Sequence, residues 1–475
     1  MSVFAAAPSP KVRAAATAAL ADARPDVYWT DRPERPTPRP QLTGAGHRGD
    51  LLVVGGGFTG LWAAIQAKED DPARDVVVLE AGRLGTGASG RNGGFADPSL
   101  THGLAQGVSC WPDEIDTLER LAEENFAGLR RTLAAYHVDA DLHVPGELTF
   151  AMDAHQLAGL RETYELYRSH GLAAQWLDAD AARARVRSTH YLGALYDPGV
   201  GLLDPARLVW GLARAAESLG VRVHEDTRVT GFAADGPGVR VRTEWGSIHA
   251  GRVVIATNAY QGVLRRFSAW VLPVYDHVLM TEPLTGEQLD AVGWSGREGL
   301  ADGGNQFHYY RRTLDDRVLF GGYDANYHFP GRIDPDLEQS SSHELLAQHF
   351  FALFPQLEGL RFTHRWGGVI DTTSRFTPVF GTALRGRLAY AVGYTGLGVA
   401  STRFGARVAL DLLDGRDTEA TRLQLVRRKP VPFPPEPVRS VAVRATRSAL
   451  AREDRTGRRG LWLRALDRVG VGFDS

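Results

Sequence analysis

Lysine, cysteine and methionine are scarce in this 475-residue chain, and no apolar run approaches the roughly 20 residues needed to cross a bilayer. A single cysteine, Cys110, excludes a disulfide framework, a CxxC redox pair and a thiolate metal cluster, and it suits a reducing cytoplasm. The histidines show no metal-ligand spacing such as HExxH, so no metal is expected. Net charge is −2, which gives no warrant for nucleic-acid binding. The first thirty residues are alanine-rich with mixed charge and lack the basic start and continuous apolar core of a signal peptide, so a cytoplasmic location is expected. What is present is 43% hydrophobic content, enough for two cores, and abundant glycine.

The glycines are placed with purpose. Leu51-Leu52-Val53-Val54 reads as a buried parallel strand running into Gly55-Gly56-Gly57-Phe58-Thr59-Gly60. In this GxGxxG the first glycine allows a tight turn, the second lets a pyrophosphate approach the backbone, and the third lets helix pack on strand. The following helix, with Leu61, Ala64 and Ile65 on one face, points its N–H groups and positive dipole end at the phosphates. A second apolar run, Val76 to Leu79, ends in Glu80, 23 residues past Gly57, where a carboxylate can accept from an adenosine ribose; Ala81 follows it. The motif fits a dinucleotide without choosing between NAD and FAD.

The choice comes from the loop Gly85-Thr86-Gly87-Ala88-Ser89-Gly90-Arg91-Asn92-Gly93-Gly94, placed where an NAD domain would start its next helix. Here the chain resembles the D-amino-acid oxidase-like (DAO) flavoprotein family, and within it the γ-glutamylputrescine oxidase branch. Trp366-Gly-Gly, Thr373, Arg375, Pro378, Gly381 and the loop Gly393-Tyr394-Thr395-Gly396-Leu397-Gly398 form a spaced series resembling the same branch. That last loop precedes a helix, and a glycine-rich helix start can stabilise the negative charge a reduced flavin gathers at N1 and C2=O. Val229, Ala256 and Thr257 complete the expected cofactor contacts.

The resemblance implies an α/β fold: a discontinuous Rossmann-type FAD-binding domain and a smaller α+β substrate domain with a mostly antiparallel sheet. The expected division is an N-terminal arm (1–49), FAD-binding segments (50–142, 201–261, 366–415), substrate segments (143–200, 262–365) and a basic tail (416–475). Periodicity places a helix over Pro205 to Leu219 and a hairpin of Phe307–Arg311 with Arg317–Gly321 turning at Thr313 to Asp316. From Arg422 to Arg468 the tail holds thirteen Arg or Lys against four Asp or Glu. It suits an arm packed on its own body or on a second copy in a homo-oligomer, with a membrane contact through Leu461, Trp462 and Leu463 as the alternative.

The implied activity is oxidation of a C–N bond in a small amine or amino acid. Hydride passes from the α-carbon to flavin N5, the imine hydrolyses to a carbonyl compound, and O2 accepts the electrons to give H2O2. A dehydrogenase feeding a carrier, and a non-catalytic FAD-binding protein, are the alternatives. Expected catalytic residues are Arg91, His277, Tyr310, Arg311 and Trp366, with Tyr309 and Asp324 also facing the pocket. An anionic substrate would want Arg311 or Arg312, a polyamine-like one Asp276, Asp324 or Asp371. Sarcosine-oxidase relatives attach flavin to a late cysteine; Cys110 lies far from that segment, so FAD is expected to be non-covalent. Those relatives also carry Lys-x-Gly-x-His where this chain has Phe320-Gly-Gly-Tyr-Asp324. With lysine only at 11, 68 and 429, a cation near the ring would have to be Arg91, Arg311 or a protonated His277, and slow reoxidation is expected.

Overall fold

The computed structural model describes residues 3–5, 7–260 and 264–471; the expected boundary at 261/262 lies outside them. Two eight-stranded sheets organise the chain. The first has a parallel centre in the order Leu388–Val392, Gly246–Ile255, Gly44–Val54, Val76–Leu79, Arg222–His224, with Val379–Ala383 antiparallel at one edge and a meander through Val229–Asp235 and Gly238–Thr243. Leu51, Leu52, Val53 and Val54 pair in register with both neighbours and are buried, as a run apolar on both faces requires in a sheet covered on both sides.

The Phe58–Asp70 helix starts at Gly57 and packs against the helices Pro205–Ser218 and Gly398–Asp414. Asp204 caps the former by accepting from Arg207 N–H, and Gly415 ends the latter in a left-handed conformation at φ +68°. Gly60 is obligatory here, because a Cβ on it would lie 1.9 Å from the Gly55 carbonyl oxygen.

The second sheet runs Phe362–Thr372, Leu272–Thr281, Val318–Gly322, His308–Arg312, Gly299–Asp302, Glu147–Ala151, Gly193–Asp197, Gln175–Asp178, and only the Gly299/Glu147 pairing is parallel. The hairpin at 308–322 forms as the alternation predicts, with Thr313 N–H donating to Arg317 O at 2.9 Å. The strand Phe362–Thr372 runs through the position expected to divide the substrate segment from the last FAD-binding segment and pairs along its length with Leu272–Thr281. One face of this sheet is closed by Ser342–Leu353 and its Phe350, Phe351 and Leu346; the Pro10–Leu20 helix of the N-terminal arm packs on that helix. The opposite face looks towards the glycine loops.

Candidate active site

A cavity of about 2180 Å³ lies where the ends of the first sheet's parallel strands meet the open face of the second, the position at which open α/β sheets bind ligands. Among the expected cofactor residues, Gly55, Gly57, Phe58, Thr59, Glu80, Ala81, Ser89, Arg91, Asn92, Gly93, Val229, Ala256, Thr257, Tyr394, Thr395, Gly396, Leu397 and Gly398 line it. Gly60, Gly90 and Gly393 do not. Gly60 and Gly90 stand back-to-back with Gly55 and Gly85, where a Cβ would meet a carbonyl oxygen at 1.9 and 2.0 Å, so they permit close packing behind the loops.

The loops are tied together by hydrogen bonds of their own. Glu80 accepts from Gly56 N–H at 2.8 Å and Gly82 N–H at 3.0 Å, leaving lone pairs on both oxygens. Ser89 Oγ accepts from Phe58 N–H at 2.9 Å, and Asn92 spans its own loop by donating to Ala88 O and accepting from Gly94 N–H. Arg91 is a clamp: its guanidinium donates to Thr86 O, Gly367 O and the Glu338 carboxylate at 2.5 to 2.7 Å. The hydroxyls of Thr257 and Thr402 line the cavity, and neither buried Oγ1 has a partner among the described residues. Glycine cradles, a helix N-terminus and two unspent hydroxyls suit a large phosphorylated cofactor such as FAD.

At Gly393-Tyr394 the geometry differs from expectation. Gly393 and Tyr394 N–H donate to the buried Asp371 carboxylate at 2.5 and 3.1 Å, so these amides are not aimed at a ligand. Burial pushes the Asp371 carboxyl up to about 7 despite those bonds. The N–H groups left for an anion are those opening the Gly398–Asp414 helix.

Strand alternation decides which substrate candidates face the cavity. On Leu272–Thr281, Val274, Asp276 and Val278 face it; His277 points the other way, fully buried against His343 with ring centroids 5.1 Å apart, and burial holds its imidazole down to about 4. On His308–Arg312, Tyr309 faces the cavity while Tyr310 lies in the core behind it, its hydroxyl 2.9 Å from that of Tyr191. Arg311 shares Tyr309's side but is buried beneath the flavin loop, donating to Leu203 O at 2.6 Å and more weakly to Gly93 and Gly94 O. Trp366 is buried and donates to Arg91 O at 2.9 Å. Of the five residues expected to be catalytic, only Arg91 lines the cavity. Asp324 is also off it, paired with Arg447.

The side chains that do converge are Asp276 and Tyr309. The Tyr309 hydroxyl donates to Asp276 Oδ2 at 2.5 Å, and a Cβ on Gly93 would touch the Tyr309 ring at 2.7 Å, so the pair abuts the second glycine loop. Burial pushes the Asp276 carboxyl up to about 6 and raises the Tyr309 phenol well above its ordinary value. Sequence reasoning missed Asp97, Glu147 and His102, all lining the cavity. Burial and mutual repulsion with Asp197 raise both carboxyls, Glu147 to about 7, and burial lowers His102 beside Thr395 O. Asp97 stands just past the second glycine loop, a signal that was open to view; nothing in the local pattern around Glu147 or His102 sets either apart.

Fold and cradle define a flavin-dependent oxidoreductase, and the family comparison agrees: the DAO family, FAD dependent oxidoreductase, matches residues 50–412, and the chain belongs to it. Its relatives include the γ-glutamylputrescine oxidoreductase of Escherichia coli (strain K12), 36% identical over 394 residues, 81% of this chain and 88% of that one. A probable oxidoreductase OrdL of Haemophilus influenzae is 30% identical over 401 residues, 82% and 88% of the two chains. The crystal structure of glycine oxidase from Geobacillus kaustophilus superposes with a TM-score of 0.66 at 23% identity, over 79% of this chain and 96% of that one.

Proposed function

We propose that the protein oxidises a C–N bond of a cationic amine, with non-covalent FAD held across the two glycine loops and Asp276 recognising the substrate nitrogen. The observation that carries this reading is the Asp276–Tyr309 pair against Gly93. Arg311 is consumed by backbone carbonyls and Arg312 by Trp294 O and Ser295 O, which leaves neither for a substrate carboxylate. Asp276 lines the cavity instead and, raised by burial only to about 6, is ionised at neutral pH, which favours a positive charge beside it. Similarity to a γ-glutamylputrescine oxidoreductase points to the same class.

When bound, FAD supplies the two-electron sink for removing hydrogen from the amine's C–N unit, and water then hydrolyses the imine to a carbonyl compound. The chain's part is placement. Asp276 is ionised above about pH 6, holds the ammonium by a charge-assisted hydrogen bond, and can take its extra proton to leave the neutral amine that the oxidation needs, with acceptor capacity beyond the bond from Tyr309. Tyr309 stays neutral and fixes the carboxylate's orientation. Glu80 and the N-terminal amides of the Phe58 helix hold ribose and pyrophosphate. The apolar walls from Val274 and Val278 exclude water beside the carboxylate.

Oxygen is the proposed acceptor, giving H2O2. No lysine lines the cavity, and His277 is neutral and turned away, so the cationic assistance considered for it is withdrawn; of the three cations considered, Arg91, clamped to Glu338, is the one that lines the cavity. Slow reoxidation follows. Anaerobic addition of alkylamines and diamines should bleach the flavin, whereas amino acids without a second cationic group should do so weakly. No bleaching by any amine would overturn the reading. Acid precipitation should release intact FAD, since no cysteine lines the cavity.

A further inference from the structure

The residues beyond Gly415 lie outside the 50–412 family match, and the amine site as described uses none of them. Yet the cavity lined by the glycine loops is also walled by the Val438–Thr456 helix, whose Val438, Ala442, Thr446 and Leu450 recur at four-residue intervals and face it together with Val443 and Arg447. This wall is not part of the core. The helix buries only Arg439, Thr446 and Glu453, and among the described residues none of it joins any of the four apolar clusters.

What holds it is polar and lies at defined points. Asp454 accepts from Asn305 N–H, the Asn305 side-chain amide and Gln306 N–H at 2.8 to 3.0 Å, gripping the turn after Gly299–Asp302. Arg447 donates to Asn326 Oδ1 at 2.8 Å and pairs with Asp324, both just past the Val318–Gly322 strand. Glu436, at the helix's start, accepts from the Tyr327 hydroxyl. The Leu461–Arg468 helix is joined to it: Trp462 Nε1 donates to Thr446 Oγ1 at 2.9 Å, Arg459 bridges Glu453 and Asp467, and Leu463 is buried. Leu463 is thereby buried inside the protein, while Leu461 and Trp462 stay exposed, the indole N–H of Trp462 being taken by Thr446. The chain leading in is fastened to the body, with Ser374 Oγ donating to Val431 O and Phe433 N–H to Ala269 O, both at 2.7 Å.

We propose that residues 436–471 form a hinged cover over the substrate chamber, which opens about the fastened, proline-rich bend at 430–437 and, when shut, selects the part of the amine remote from the oxidised carbon through its Ala442 to Leu450 face. An element outside the apolar core and held by a few polar bonds is the kind that opens at small cost. The selecting role rests on the amine reading; the covering role does not.

The test uses full-length, FAD-loaded protein and two readouts. The first is independent of turnover: the rate at which sulfite bleaches bound flavin, with the rate of tryptic cleavage between 439 and 459. Asp454→Asn should raise both by roughly tenfold, and Asp454→Asn with Arg447→Gln by more, since each variant removes charge-assisted bonds that shut the cover. The second is anaerobic flavin reduction by primary alkylamines of increasing length, whose spread of apparent KM should narrow in Asp454→Asn while the limiting reduction rate holds. Unchanged sulfite and trypsin rates in the double variant would overturn the cover. Faster sulfite access with no reduction by any amine would uphold the cover and sink the amine reading instead. Should Asp454→Asn lose FAD, Arg447→Gln alone carries the sulfite and trypsin readouts at a separate latch.

Discussion

The first sheet offers the cavity the loops that follow its parallel strands, whereas the second offers the faces of its antiparallel strands. At the first, recognition is by backbone: Gly55 to Thr59, Ser89 to Gly93 and the start of the Gly398 helix present N–H groups and space. At the second it is by side chain, and Asp276 and Tyr309 reach the cavity only because of where they fall in the alternation. A cofactor common to a family suits the first kind of surface, since main-chain donors tolerate sequence change around them. A substrate suits the second, where one exchanged side chain redefines what binds.

That contrast can be broken most severely at Gly60. Gly60→Ala puts a methyl 1.9 Å from Gly55 O, with backbone on both sides and nowhere to move, so a loss above about 3 kcal/mol is expected, with little soluble FAD-bound protein. Expression yield and flavin content would measure it; a yellow, stable variant would refute the packing argument. Next comes Asp276→Asn, expected to lower kcat/KM for amines by roughly a hundredfold or more while FAD stays bound. In the parent protein, amine affinity should rise with pH through about 6 as the carboxyl ionises, and this step should vanish in the variant. A pH profile that keeps the step would assign it elsewhere.

Glu80→Ala should weaken FAD by about 1.5–3 kcal/mol, roughly ten- to a hundredfold, with turnover of the reconstituted enzyme nearly unchanged. Equilibrium dialysis of FAD checks it, and unchanged affinity would take Glu80 out of the site. The smallest effect sharpens the comparison at one residue's distance: Tyr310→Phe should cost about 1–2 kcal/mol of stability by leaving the Tyr191 hydroxyl unpaired, with KM and kcat unmoved. Tyr309→Phe should do the reverse, altering the pH profile of amine binding more than the melting temperature.

The nucleotide half was legible because its determinants are contiguous. Strand, GxGxxG, helix, strand and acid follow each other within residues 51 to 80, and a glycine's role there depends on atoms a few residues away; the Gly60 contact with Gly55 is of that kind. The second loop and the hairpin at 308–322 were legible for the same reason. The substrate half was legible only as a sheet. Its strands were found, but placing His277 in the catalytic set with Asp276 only as one of three carboxylates for a polyamine-like substrate, and Tyr310 beside Tyr309, is a matter of phase, and with a period of two a single step turns a side chain to the other face. Phase is set by what covers the sheet's far side, here the Ser342–Leu353 helix, more than sixty residues from His277 along the chain.

Some partnerships were beyond any local pattern. Arg311 carries the charge an anion would need, yet Leu203, 108 residues away, takes its guanidinium. Asp371 intercepts the Gly393 and Tyr394 amides from another strand, and the tail's Asp454 finds Asn305 across 149 residues. By itself the sequence determined the cofactor class, the two-sheet architecture and the family, since turns, helix starts and alternation are read over short spans. Only the tertiary structure decided which carboxylates face the cavity, which arginines are spent and what walls it, because burial and hydrogen-bond partnership belong to pairs of residues that meet only in the folded chain.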